Sequence, residues 1–242
     1  MDATYGQRYR ALYERHWWWR AREAVILDAL RRHGVHERRQ RILDIGCGDG
    51  LFFDRLSAFG EVEGVEPSAE LIDPRGRWAS RIHTAPFDDR FRPGRSYSVI
   101  LMLDMLEHLE DPASALRHAL TLLEPGGLLL ITVPAFRALW TAHDVVNHHF
   151  TRYTRSSFRL VAREAALGIR EMRYFFQWTC PVKLAVRAVE AVRPPRDALP
   201  SIPPAPINAT LYALSRLEYR MLAPLRVPFG SSLVVAAGHP AS

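Results

Sequence analysis

The chain has 242 residues, 48% hydrophobic and 24% charged, with a formal net charge of +6; this suits one soluble domain with a sizeable core and excludes a low-complexity or fibrous chain. No apolar run reaches the length of a membrane span, and the polar, aromatic N-terminus lacks a signal-peptide apolar region. Two cysteines outside any CxxC pair exclude a disulfide framework, so a cytoplasmic protein is expected. Of 32 basic residues a single one, Lys183, is lysine. Basic and acidic residues interleave, so charge alone does not single out nucleic acid.

In chain order, Tyr9 to Arg32 has few breakers and ends at Gly34, which predicts a helix. Arg41–Ile45 reads as a strand ending in a glycine loop, and Gly50–Phe59 as the helix after it. Glu61–Glu66 is a second strand closed by Pro67-Ser68, and Arg81–Thr84 a weak third. Ser96 to Leu106, "SYSVILMLDML", is a strongly β-prone fourth, followed by a helix from Pro112 to Leu123. "EPGG" at 124–127 reads as a turn and 128–134 as a fifth strand. Strands alternating with helices at this spacing predict a parallel, doubly wound sheet covered on both faces.

A helix at Ser156–Leu167 and strands at 169–178 and 230–238 complete the pattern. Between the last two strands lies "RPPRDALPSIPPAP", flanked by two amphipathic stretches. In the first, Lys183, Arg187, Glu190 and Arg193 share a face, with Leu184, Val186, Val189 and Val192 on the others. In the second, Leu211, Leu214, Leu217, Met221 and Leu222 repeat at helical spacing. These helices are expected to form a lid packed on the core, with contact between 180–225 and a membrane surface, or binding of a partner, as the alternative. The division expected is a helical cap at 1–39, a core at 40–178, a helical insertion at 179–228, and the last strand and tail at 229–242.

"RILDIGCGDGLFF", Arg41 to Phe53, places Gly46, Gly48 and Gly50 directly after the first strand. Such a turn, opening onto a helix at the carboxyl end of a strand, is where α/β sheets bind nucleotides. It is not the phosphate loop GxxxxGK[ST], and Phe53 stands where the dinucleotide fingerprint needs its third glycine. A ligand without pyrophosphate fits better. Glu66, about twenty residues on, stands where a carboxylate accepts from both ribose hydroxyls.

"LDIGCGDG", "GVEPS", "LDMLEHLEDP" and "LEPGGLLLITVP", in this order over about residues 40–135, resemble class I S-adenosylmethionine-dependent methyltransferases. The resemblance implies a Rossmann-like, seven-stranded sheet with an antiparallel last strand, and S-adenosyl-L-methionine as cofactor. It implies that Asp44, Gly46, Cys47 and Gly48 lie at the methionine and ribose portion, Glu66 on the ribose hydroxyls and Pro67 beside the adenine. Ala85 to Phe87 would also lie near the adenine, and Leu103, Asp104 and Met105 near the sulfonium. The "HWWWRAR" segment resembles a bacterial group in which Arg22 would reach the methionine carboxylate.

Methyl transfer needs alignment and exclusion of water, and a base where the acceptor is a hydroxyl. His108 and His148 are the candidate bases, with His149 beside the latter. Asp104-x-x-Glu107-His108 with a distant His148 also resembles the arrangement in metal-assisted O-methyltransferases, though no metal site is assigned on it. Tyr153, Arg152 and Arg155 are candidates for lining the acceptor site or binding an anionic group. Three successive tryptophans, Trp17 to Trp19, span about 200° of a helix, so they cannot all face one core. The expected function is methylation, at oxygen, of a small or lipid-like acceptor; the alternatives are a metal-assisted RNA 3′-end methyltransferase and a non-catalytic cofactor-binding scaffold.

Overall fold

The computed structural model describes residues 10–36, 39–193 and 201–240. Its strands are β1 Gln40–Ile45, β2 Gly60–Glu66, β3 Ile82–Thr84, β4 Tyr97–Leu103, β5 Leu123–Pro134, β6 Gly168–Phe175 and β7 Ser232–Gly238. They form one sheet in the order β3-β2-β1-β4-β5-β7-β6. β7 runs antiparallel between β5 and β6, and every other pairing is parallel. The chain starts at the middle of the sheet, winds outward to β3 and returns to β4, so the topological switch point lies between β1 and β4.

The central strands are near-continuous apolar runs because helices cover both faces. Their two-residue period divides the core. Leu43, Ile45, Ile100, Met102, Leu129 and Ile131 pack to one side, Ile42, Val99, Leu101, Leu128 and Leu130 to the other. On that second side lies α1 (Trp17–Arg32), which buries Ala21, Val25, Ile26, Ala29 and Leu30. Each large aliphatic buried in this way contributes about 1.5–3 kcal/mol. α2 (Phe53–Leu56) follows the glycine loop; α3 (Pro112–Leu122), α4 (Ala142–Val146) and α5 (Arg155–Glu164) come later.

Several boundaries differ from the sequence reading. The N-terminal helix breaks at His16, whose ring Nδ1 accepts from Trp18 N at 3.1 Å and caps α1; residue Tyr9 itself lies outside the described residues. The helix after the glycine loop is a single turn. β4 stops at Leu103, since Asp104 takes φ +53° and leaves the extended region. "EPGG" is a bulge within β5, with Tyr97 opposite Leu123 but Val99 opposite Leu128. The strand predicted at 169–178 ends at Phe175, and α6 (Thr179–Val192) begins just beyond.

The two C-terminal helices pack on the rest of the fold. α7 (Ala205–Leu222) docks on α1 through polar side chains: Asn208 Oδ1 accepts from Trp17 N, Arg32 donates to Tyr219 Oη and Arg216 pairs with Asp28. α6 turns its polar face inward, with Glu190 accepting from Ala142 N at 2.9 Å and Arg187 donating to Ala138 O at 2.6 Å. Leu184, Val186, Val189 and Val192 face outward, Val189 at 61% exposure and Val192 at 81%. Of the proline-rich connector, 194–200 lies outside the described residues.

Candidate active site

At the carboxyl ends of β1, β2 and β4 two adjoining cavities open, of about 410 Å³ and about 210 Å³. Arg22, Gly46 and Leu103 line both.

The larger cavity is built by the glycine loop. Gly46 and Gly48 take φ of +74° and +54°, values that glycine adopts without a Cβ penalty. A Cβ on Gly46 would sit 3.3 Å from the Met105 side chain, so the loop lies close against the end of β4. Glu66 Oε2 accepts from Gly48 N and Oε1 from Ser68 N, each at 3.0 Å. These bonds hold a carboxylate that is only 6% exposed at the cavity wall and leave acceptor capacity on both oxygens. Asp44 beside it is raised to about 7, because burial disfavours its charge and Glu66 adds repulsion, while Arg22 opposes both.

Of the residues that the resemblance assigns to the cofactor, Asp44, Gly46, Cys47, Gly48, Glu66 and Leu103 line this cavity. Asp104 lines the smaller one, and Met105 packs behind Gly46. Pro67 is exposed beside Glu66. Phe87 stands apart, packed on Phe91 and on the His118 ring at 4.9 Å. The wall expected from Ala85 to Phe87 is formed instead by Glu70, Leu71, Ile72 and Asp73; the irregular turn at 69–73 carries no motif that could have found them.

The smaller cavity is lined by Trp18, Trp19, Arg22, Asp104, Glu107, His108, His149, Arg152 and Lys183, among others. Arg22 Nε lies 2.5 Å from Asp104 Oδ2, and Thr132 Oγ1 donates to Asp104 Oδ1 at 3.1 Å. This pairing holds the strained Asp104 backbone in place. Glu107, His108 and His149 each offer one ligand atom, all within 4.8 Å of one another. Glu107 is 1% exposed, and burial together with the nearby Asp104 charge pushes its carboxyl well up. Its Oε2 is buried without a hydrogen-bonding partner. Burial and the neighbouring His149 ring lower His108.

His148 is not in this group. It is exposed at φ +55°, and the next residue, His149, carries the ring that meets His108 at 4.7 Å. A turn after α4 reverses the side-chain direction, so that His149 and not the expected His148 faces the cavity, and nothing local marks it. Arg152 and Tyr153 are buried and internally bonded, Arg152 to Asp144 and Tyr153 Oη to Leu106 O at 3.2 Å. Arg155 lies elsewhere, over the Tyr174 ring. Trp17 packs on Phe176 and Trp178, while Trp18 and Trp19 reach the cavity.

A family model described as a methyltransferase domain matches residues 18–171. The ubiquinone biosynthesis O-methyltransferase of Azorhizobium caulinodans is 32% identical over 127 residues, covering 46% of this chain and 49% of that protein. The chain spans about half the length of the curated relatives it matches, 38% of one and 55% of another. Among solved structures, a Haloferax volcanii methyltransferase in complex with the Trm112 activator superposes with a TM-score of 0.61 at 19% identity, covering 99% of this chain and 96% of that one. The (4+2)-cyclase SpnF superposes at 0.58 and 18% identity, covering 99% and 97%. At such identities the likeness is one of fold, and a cyclase on the same fold shows that the site must carry the functional argument. Among the described residues no helix is long and apolar enough to cross a membrane.

Proposed function

The chain belongs to the class I S-adenosylmethionine-dependent methyltransferase family, and on that premise we propose that it transfers the methyl group to a hydroxyl oxygen of a small, lipid-like acceptor. The observation that carries this is the joining of the two cavities at Arg22, Gly46 and Leu103. A glycine loop and Glu66 stand on one side, and a carboxylate–imidazole group on the other. The similarity to ubiquinone biosynthesis O-methyltransferases supports an oxygen acceptor of quinone-precursor type.

Glu66 accepts from the ribose hydroxyls, and Asp44 with the Gly46–Gly48 backbone borders the methionine portion. Trp18, Trp19 and the inward face of α6 exclude water from the acceptor, so that its oxygen meets the methyl carbon in line. A divalent cation fits beside it. The donor set is a hard carboxylate oxygen and imidazole nitrogens, and Glu107 Oε2 is buried without a partner. Asp144 Oδ1 accepts from His149 Nδ1 at 2.8 Å, which orients that ring as outer carboxylates orient metal-binding histidines. Glu107, His108 and His149 would hold the ion, which would supply acidification of the acceptor hydroxyl.

The outward apolar rows of α6 and α7, with Val182, Leu214, Leu217 and Met221 exposed, support peripheral contact with a lipid surface, from which a greasy acceptor would enter. The test of the function is calorimetric titration with S-adenosylmethionine and S-adenosylhomocysteine. Micromolar binding that Glu66→Ala abolishes is expected. Absence of binding by folded protein overturns the reading.

A further inference from the structure

Lys183, the one lysine in the chain, enters the smaller cavity from α6. It has no hydrogen bond or ion pair among the described residues, and its surroundings explain why. The carboxylates within electrostatic reach are taken. Asp144 is bound by Arg152 and His149, and Asp104 by Arg22. Cys180, on the same helix, is held as a neutral thiol by burial. Burial, and then the Arg152 guanidinium, lower the Lys183 ammonium to about 8.

Among the described residues, Lys183 is therefore a cation of the cavity with no direct ion pair, the Asp144 and Asp104 charges reaching it only from a distance. A desolvated cation is costly unless something anionic joins it. The two guanidiniums lining this cavity, on Arg22 and Arg152, have a carboxylate partner. Lys183 is placed differently, facing the space the acceptor occupies.

We propose that Lys183 anchors an anionic group of the acceptor, so that the substrate is a hydroxylated, lipid-like molecule carrying a carboxylate or phosphate beside the hydroxyl that is methylated. This rests on the acceptor assignment above and narrows its chemical class. A charge-assisted bond of this kind favours the anionic over the neutral ligand by about tenfold or more. Arginine at 183 would preserve the charge, whereas methionine would preserve the length and remove it.

The test uses three probes titrated into protein saturated with S-adenosylhomocysteine: catechol, 3,4-dihydroxybenzoate and phenyl phosphate. Wild type is expected to bind at least one anionic probe about tenfold more tightly than catechol, and which one identifies the anion. Lys183→Met should erase that preference and Lys183→Arg should keep most of it, with S-adenosylhomocysteine affinity unchanged in both. In wild type the bound anionic probe should also slow acylation of the Lys183-containing peptide, read by mass spectrometry. Equal binding of all three probes, binding of none, or a preference that survives Lys183→Met overturns the proposal. Failure of wild type to bind S-adenosylhomocysteine would instead overturn the cofactor reading above.

Discussion

Asp144 and His149 form a buried pair: the carboxylate Oδ1 accepts from His149 Nδ1 at 2.8 Å while Arg152 donates to both oxygens, from Nε and Nη2, each at 2.8 Å. Asp144 is fully buried. Burial alone would raise its carboxyl, but the bonds from His149, Arg152 and Thr141 outweigh that and hold it well below the usual range. An ionised acceptor at Nδ1 fixes the proton there and leaves Nε2 as the ring's remaining ligand atom.

Removing the Asp144 charge leaves Arg152 buried and uncompensated. Asp144→Asn is expected to cost about 3–5 kcal/mol at pH 7, read by urea unfolding. A depressed carboxyl stabilises the fold above its unfolded value, near 3.9, and that contribution is lost as pH falls through the lower folded value. The gap between wild type and variant should therefore be full at neutral pH and shrink below about pH 4. A gap independent of pH would show that Asp144 does not act through its charge.

Asp44 has the opposite sign. Its carboxyl titrates near 7 in the larger cavity, so raising the pH from 6 to 8 adds a negative charge beside a cationic sulfonium ligand. S-adenosylmethionine should bind up to about tenfold more tightly across that range. Asp44→Asn should bind more weakly with a flat profile; an unchanged slope in the variant would assign the titration to another group.

Glu107→Gln keeps the shape of the side chain and removes its charge. The variant is expected to lose most of its calorimetric response to Mn²⁺ or Mg²⁺ while S-adenosylhomocysteine binding persists, since Glu107 lines only the smaller cavity. His148→Ala, on the exposed side of the turn, should leave both responses intact. Metal binding that survives Glu107→Gln would refute the ion assignment.

Gly64 lies in β2 against the glycine loop, where an added Cβ would meet Cys47 Sγ at 2.3 Å and Phe53 Cζ at 2.7 Å. Gly64→Ala should destabilise the protein by about 1–3 kcal/mol and weaken S-adenosylmethionine binding by displacing Cys47. Adding Cys47→Ala should restore part of both, because the nearest clash is then removed. Thermal melts and titration of the three variants decide it.

How much could be read locally follows from the range of the forces involved. Period-two apolar runs and glycine at positive φ are properties of a few adjacent residues, so β1, β2, β4 and the Gly46–Gly50 loop could be placed from the chain alone. Glu66, at the end of β2, falls beside that loop, where its carboxylate accepts from Gly48 N. The boundaries at Asp104 and Gly126 could not, because each depends on a partner elsewhere: Asp104 on Arg22 and Thr132, the bulge at Gly126 on its register with Tyr97.

Neighbouring residues encode strand, turn and glycine loop, so the sheet and the order of its motifs were legible in the chain, while the cofactor roles of the 44–50 loop and Glu66 came from the family resemblance those motifs carry. Tertiary structure alone decided that His149 and not His148 meets Glu107, and that Phe87 lies away from the crevice. It also decided that α6 turns Lys183 inward with its valines outside. Those outcomes depend on which way a turn sends a side chain and which charges find partners across the fold. Long-range pairing of that kind leaves no trace in local spacing.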